Sequence, residues 1–281
     1  MNEEESAAGW FAGIDPGDTE AARAAIRNGE AADTADWPAI AVETGFAGTE
    51  AEYYDRLHEA TTAATQAAVR EREQADDQQL IHAVRALDDC RRVANELTER
   101  VGEWAGSRDA DADVDGEYIA DLASRDPDNP MAGRLVSLAG RIVDLHAEID
   151  DLQVVVESTA TSVAPNLTAL AGAELAARLI ALAGGLDELA KKPAGTVQVL
   201  GAEEALFAHL RGGAPSPKHG IIYTHEYVRG IRPDDRGSAA RALAGKLTIA
   251  ARVDNYTGEY RPELAAELDD RIERIRARER E

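Results

Sequence analysis

Apolar residues recur every three or four positions through two long stretches of this chain, and an acidic, turn-rich interval separates them. Across residues 78–104 the apolar positions are Leu80, Val84, Leu87, Cys90, Ala94, Leu97, Val101 and Trp104. That spacing puts all of them on one face of a helix ending between Trp104 and Gly106. From Met131 the seam continues through Leu135, Leu138, Ile142, Leu145, Ile149, Leu152 and Val156, at alternating steps of four and three. A heptad seam of this kind calls for a partner helix. The nearest is residues 78–104, folded back through residues 107–129 to make a long antiparallel coiled-coil hairpin. So narrow a hairpin leaves apolar surface uncovered, which predicts a homodimer through Leu135, Leu138, Ile142, Leu145, Ile149 and Leu152.

Beyond Ser158 the heptads stop, and Pro165 with Asn166 marks a junction. Residues 167–182 predict one shorter helix ended by Gly184 and Gly185, followed by a helical turn over 186–190 and a short apolar segment over 196–200. Residues 202–210 read as a helix with its exit at Gly212 and Gly213, and Ile221, Ile222 and Tyr223 as buried anchors. A long helix is expected over 238–253, opened by Asp235 or Gly237, and a charged helix over 261–281. Upstream, residues 50–72 are helical and 118–123 form a short helix. In the first fifty residues Trp10, Phe11 and Ile14 suggest a short strand closed by the Asp15-Pro16-Gly17 turn, with a helix over 19–28. Residues 38–42 and Phe46 suggest a second strand or a packed loop. The expected fold is mainly α, with a reduced α/β or irregular module over 1–60, the hairpin over 61–160, an all-α domain over 161–260 and a charged helix or tail over 261–281.

Charge changes the functional picture. The formal net charge of -23 argues against a polyanion partner taken over the whole chain and suggests adaptation to high salt. Residues 1–160 hold 13 Lys and Arg against 36 Asp and Glu, whereas residues 161–281 hold 17 of each. The C-terminal part is therefore the only candidate face for nucleic acid. One cysteine, Cys90, excludes an internal disulfide and a cysteine-based zinc site and fits a reducing compartment. No apolar run approaches membrane-spanning length and the first residues are acidic, so a cytoplasmic location is expected.

No catalytic constellation assembles from the motifs. His58, His82, His146, His209, His219 and His225 form no HExxH pair, no Walker or GxGxxG glycine pattern is present, and His225 beside Glu226 is a weak acid/base candidate. The aspartates of residues 109–115 lack the EF-hand glycine and glutamate, so a solvated loop is the default. Neither a cofactor nor a metal is expected. Phosphate contacts are more coherent: Lys218 and His219 lie in a proline-bounded loop, while Arg236 and Gly237 precede a helix, with Arg241 further along and Gln198 near Gly201. Lys246 either extends that surface or pairs with nearby acids.

The segments TVQVLGAEEALFAHL, PKHGIIYTHEYV and RGSAARALAGKLTIAARVD resemble the archaeal nucleolar-protein (Nop domain) family, the scaffold of box C/D guide-RNA methylation particles. The segments QLIHAVRALDDCRRVANELTERVGEW and PNLTALAGAELAARLIALAGGLDELAKKPAGTVQVLG extend the resemblance over about residues 78–258, and the acidic composition gives it a haloarchaeal cast. The resemblance implies an all-α Nop domain over 161–260 that binds box C/D guide RNA together with a kink-turn-binding ribosomal-type protein. It also implies a coiled coil that pairs two copies and an N-terminal module that recruits fibrillarin, with no catalytic residue in this chain. Gln198, Lys218, His219, Arg236, Arg241 and Lys246 are then the expected RNA contacts. Glu204, Ala208 and Ser238 stand where the family pattern has lysine, arginine and lysine, the N-terminal module is short for the family, and the tail lacks its lysines. Loss of RNA contact through those three substitutions defines the alternative, a coiled-coil interaction or structural protein.

Overall fold

The computed structural model describes residues 9–29, 35–108 and 115–277. Among these residues every regular element is helical, and the chain divides into two compact units, residues 1–75 and 76–281.

In the first unit, α1 (Thr19–Asn28), α2 (Trp37–Glu43) and α3 (Glu50–Glu73) each begin at a side-chain cap, from Asp18, Asp36 and Thr49. The strands expected around Trp10 and over residues 38–42 do not form. Trp10 and Phe11 lie in turns, and Asp36 with Pro38 starts a helix instead. These aromatics are more useful as core than as strand. Phe11 stacks on Phe46 with centroids 5.0 Å apart, Trp10 Nε1 donates to Tyr53 Oη at 3.3 Å, and Ala41 and Ala47 close the cluster. Helix α3 runs without a break through residue 60.

The second unit opens with α4 (Asp76–Gly106), α5 (Gly116–Ser124) and α6 (Pro130–Val163). Asn129 accepts from the amides of Met131 and Ala132 while Pro130 occupies the first helical turn, which starts α6 sharply. Leu80, Ile81, Val84 and Leu87 cluster with Val156 and Ala160, whereas Val101 and Ala105 cluster with Leu135, Ala139 and Ile142. The start of α4 thus meets the end of α6, and the two run antiparallel. Leu135 and Ile142 are buried inside this chain; Leu138, Leu145, Ile149 and Leu152 are half-buried.

The stretch expected as one helix over 167–182 is two: α7 (Pro165–Ala171) and α8 (Ala173–Ala183), bent by 117°. The corner is Gly172, whose φ of 77 and ψ of 153 lie in a region only glycine enters without strain. Among the described residues no single helix is long and apolar enough to cross a membrane; this bent pair is apolar enough, and its Leu167, Leu170, Leu175, Leu179 and Ile180 lie in the core.

The rest comprises α9 (Leu186–Lys191), α10 (Ala194–Val199), α11 (Glu203–Leu210), a 3-10 turn (Ile221–Thr224), α12 (Glu226–Arg229), α13 (Arg236–Tyr256) and α14 (Glu263–Ala277). Helix α13 is the axis of this domain, packing on α7, α9, α10, α12 and α14. Its buried face is rich in alanine, at 239, 240, 244, 250 and 251, which raises helix propensity and lets neighbours approach closely. Within α14, Leu264, Leu268, Ile272 and Ile275 join the main core.

Candidate nucleic-acid interface

Leaving α10, the chain makes an excursion over residues 201–219 and returns to where it left. Gly220 N donates to Gln198 O and Ile221 N to Leu200 O, both at 2.8 Å. Gln198 Nε2 donates to Lys218 O at 2.7 Å. A methyl group at Gly220 would lie 2.0 Å from Leu200 O, so this close approach of two backbones requires glycine. Helix α11 rides on the excursion with no buried residue, and Phe207 is 58% and Leu210 70% exposed.

At the base of the excursion His219 and Arg236 share one ring, with Lys218 close by. His219 stacks on Tyr223 with centroids 4.6 Å apart and planes 22° from parallel. The Arg236 guanidinium sits 5.4 Å from the Tyr223 centroid, and its Nε donates to Ile231 O at 3.1 Å. Lys218 Cδ lies 3.9 Å from where a side chain on Gly237 would begin. Burial first, and then the charges of Arg236 and Lys218, hold the His219 imidazole below its ordinary value, leaving it neutral near pH 7.

Gln198, Lys218, His219 and Arg236 are therefore brought together by the fold. Arg241 is exposed further along α13. Lys246 is ion-paired to Glu267 of α14. Tyr223, which sequence reasoning takes for a buried anchor, is half-buried and organises the cations; Ile222 is the fully buried member of that trio. The signal for Tyr223 was an aromatic residue four positions after His219, masked by the apolar Ile221 and Ile222 before it. Phe207 and Leu210 also went unmarked, because their period matches that of a packed helix.

His225 has a structural task. Its Nδ1 accepts from Tyr227 N at 3.1 Å and so carries no proton, leaving Nε2 to donate to Leu170 O at 3.0 Å. Both nitrogens are committed to backbone, burial lowers its pKa, and Glu226 has no free imidazole to work with. No group of three or more His, Cys, Asp and Glu that could hold a metal ion occurs among the described residues; the aspartates at 109, 111 and 113 lie outside them.

Among the described residues, the helical fold brings basic side chains and an aromatic ring to one surface. The family described as Nop, snoRNA binding domain, fibrillarin, matches residues 122–274, more than half the chain, and the chain belongs to that family. It is 37% identical over 275 residues to an uncharacterized NOP5 family protein of Methanocaldococcus jannaschii, covering 84% of this chain and 66% of that protein. It is 42% identical over 114 residues to nucleolar protein 56 of Caenorhabditis elegans, covering 39% of this chain and 24% of that one. The chain thus spans just under two thirds of the first relative and about a quarter of the second. The crystal structure of a fibrillarin/Nop5p complex is similar in fold, with a TM-score of 0.54 and 24% identity over 90% of this chain and 91% of that one.

Proposed function

We propose that this chain is a non-catalytic scaffold of a box C/D guide ribonucleoprotein. The 161–260 domain receives a kink-turn RNA already held by its kink-turn-binding protein. The 61–160 hairpin pairs two copies, and the N-terminal module holds fibrillarin, which supplies the methyl-transfer chemistry. The convergence of His219 and Arg236 on Tyr223, with Lys218 beside them, carries this reading, in the part of the chain whose charge is balanced. The scaffold's contribution is positional: it fixes the methyltransferase relative to the 2'-hydroxyl that the guide selects.

Binding to a kink-turn RNA-protein complex tests the reading. Lys218→Ala and Arg236→Ala are each expected to weaken binding about tenfold, the scale of one lost charge-assisted phosphate contact. Exposed Glu204 on α11 favours the second reading, a protein-interaction module without RNA, and failure of the unaltered chain to bind at any salt concentration would select it.

A further inference from the structure

An imidazole that shares a ring with a guanidinium and follows a lysine in the chain is costly to protonate. His219 lies against Tyr223 at 4.6 Å, with Arg236 at 5.4 Å from the same ring and Lys218 next to it in the chain. Among the described residues, the groups that act on the imidazole include no carboxylate. The loop brings Lys218, the 3-10 turn brings Tyr223, and α10 brings the uncharged Gln198, whose amide is held by Lys218 O. Just ahead of α13, Asp235 pairs with Arg232 at 3.2 Å. The geometry therefore keeps a titratable group in a cationic corner with no anion of its own.

We infer that His219 is a proton-linked phosphate contact: a phosphodiester placed among Lys218, His219 and Arg236 supplies the missing negative charge, and the imidazole takes up a proton as the RNA binds. The inference rests on the RNA reading above. In the free chain burial and the two neighbouring cations hold the imidazole neutral. A phosphate works against both: its negative charge counters the repulsion from Lys218 and Arg236, and it accepts a hydrogen bond that the protonated imidazole makes more strongly than the neutral one. The sign follows by linkage. Because the complex holds more protons than the free chain, binding tightens as pH falls from about 8 to about 6, through the range in which histidine ordinarily titrates. One proton sets a ceiling of about tenfold per pH unit, and a partial charge transfer over this window gives about three- to tenfold in all.

The test is calorimetric titration of this chain into a kink-turn RNA bound to its kink-turn-binding protein, across that pH range and in two buffers of different ionisation enthalpy. Net proton uptake with tighter binding at low pH is expected for the unaltered chain, and the His219→Gln chain is expected to lose the pH slope that the RNA partner itself does not contribute. A second measurement needs no variant: the His219 ring-proton resonance should titrate at higher pH in the complex than in the free chain. An identical pH slope for the two chains, or an unchanged or lower His219 titration on binding, overturns the inference while leaving the RNA reading intact. Absence of binding at every pH overturns both.

Discussion

Asp254 shows how much one side chain can hold. It is buried, and its Oδ1 accepts from Asn166 N at 3.0 Å and Asn166 Nδ2 at 2.7 Å, while Oδ2 accepts from Leu167 N at 2.8 Å. It thus caps the start of α7 from the far end of α13, a role the helix's own preceding residue, Ala164, cannot fill. Asn166 Oδ1 in turn accepts from Arg261 N at 2.7 Å, which ties in the approach to α14. Asp254→Ala leaves buried donors unpaired and is expected to cost about 3–5 kcal/mol in denaturant unfolding; a loss below about 1 kcal/mol would show the network to be dispensable. Gly220→Ala is expected to push the excursion off α10, weakening RNA binding and costing about 1–3 kcal/mol of stability. His225 gives a pH signature. Its folded pKa is depressed, so the stability it contributes is complete above its ordinary value of 6.5 and declines as pH falls through the folded value. His225→Gln should flatten that acid-side decline in unfolding curves.

At the level of elements, the corner between α7 and α8 and the docking of α14 are the two features that arrange the domain. Gly172→Ala forces a side chain into a backbone region that costs of order 1–3 kcal/mol, and should lower the thermal midpoint without removing any contact. Helix α14 is held by its apolar face and by Tyr227, whose hydroxyl donates to Asp269 and whose ring lies 5.8 Å from the Arg276 guanidinium. The Asp269 hydrogen bond, and burial after it, push the Tyr227 pKa up to about 12. The sign is that of a raised group: the stabilisation is complete below the ordinary value of 10.0 and is lost as pH rises through about 12. Phenolate absorbance should show one tyrosine titrating that late, and Tyr227→Phe should abolish it.

Over the second unit as a whole, ion pairs join the hairpin to the helical domain. Arg178 of α8 pairs with Asp88 of α4 and with Glu174, and Glu174 also meets Arg91 at 2.6 Å. These groups are partly exposed, so their strength declines with salt. RNA binding should show its own salt dependence. With Lys218 and Arg236 as the principal cations, the logarithm of affinity should fall against the logarithm of salt with a slope of about 2, and Arg236→Ala should reduce that slope by about 1. A slope several times larger would mean that the interface extends well beyond this cluster.

Periodicity by itself determined the two long helices and their antiparallel pairing, since which face of a helix is apolar is a local property that spacing records. Local sequence also marked the helix end at Gly184 and the junction at Pro165 and Asn166, and motif resemblance reached the family. Only the tertiary structure decided the rest. Gly172 reads like any glycine in a helical run until its backbone angles are known. The buried face of α14 was written at 264, 268, 272 and 275 but masked by the charges between, and what it packs against is not a local property. Trp10 and Phe11 carry strand-like side chains, yet packing with Phe46 and Tyr53 outweighed that preference. The meeting of Gln198, Lys218, His219, Tyr223 and Arg236 depends on a loop returning to its own base, and the pairing of Lys246 with Glu267 depends on where the expected terminal helix docks. Spacing reports which residues share a face; contact between distant segments follows from how those faces pack, and that is where the interface is made.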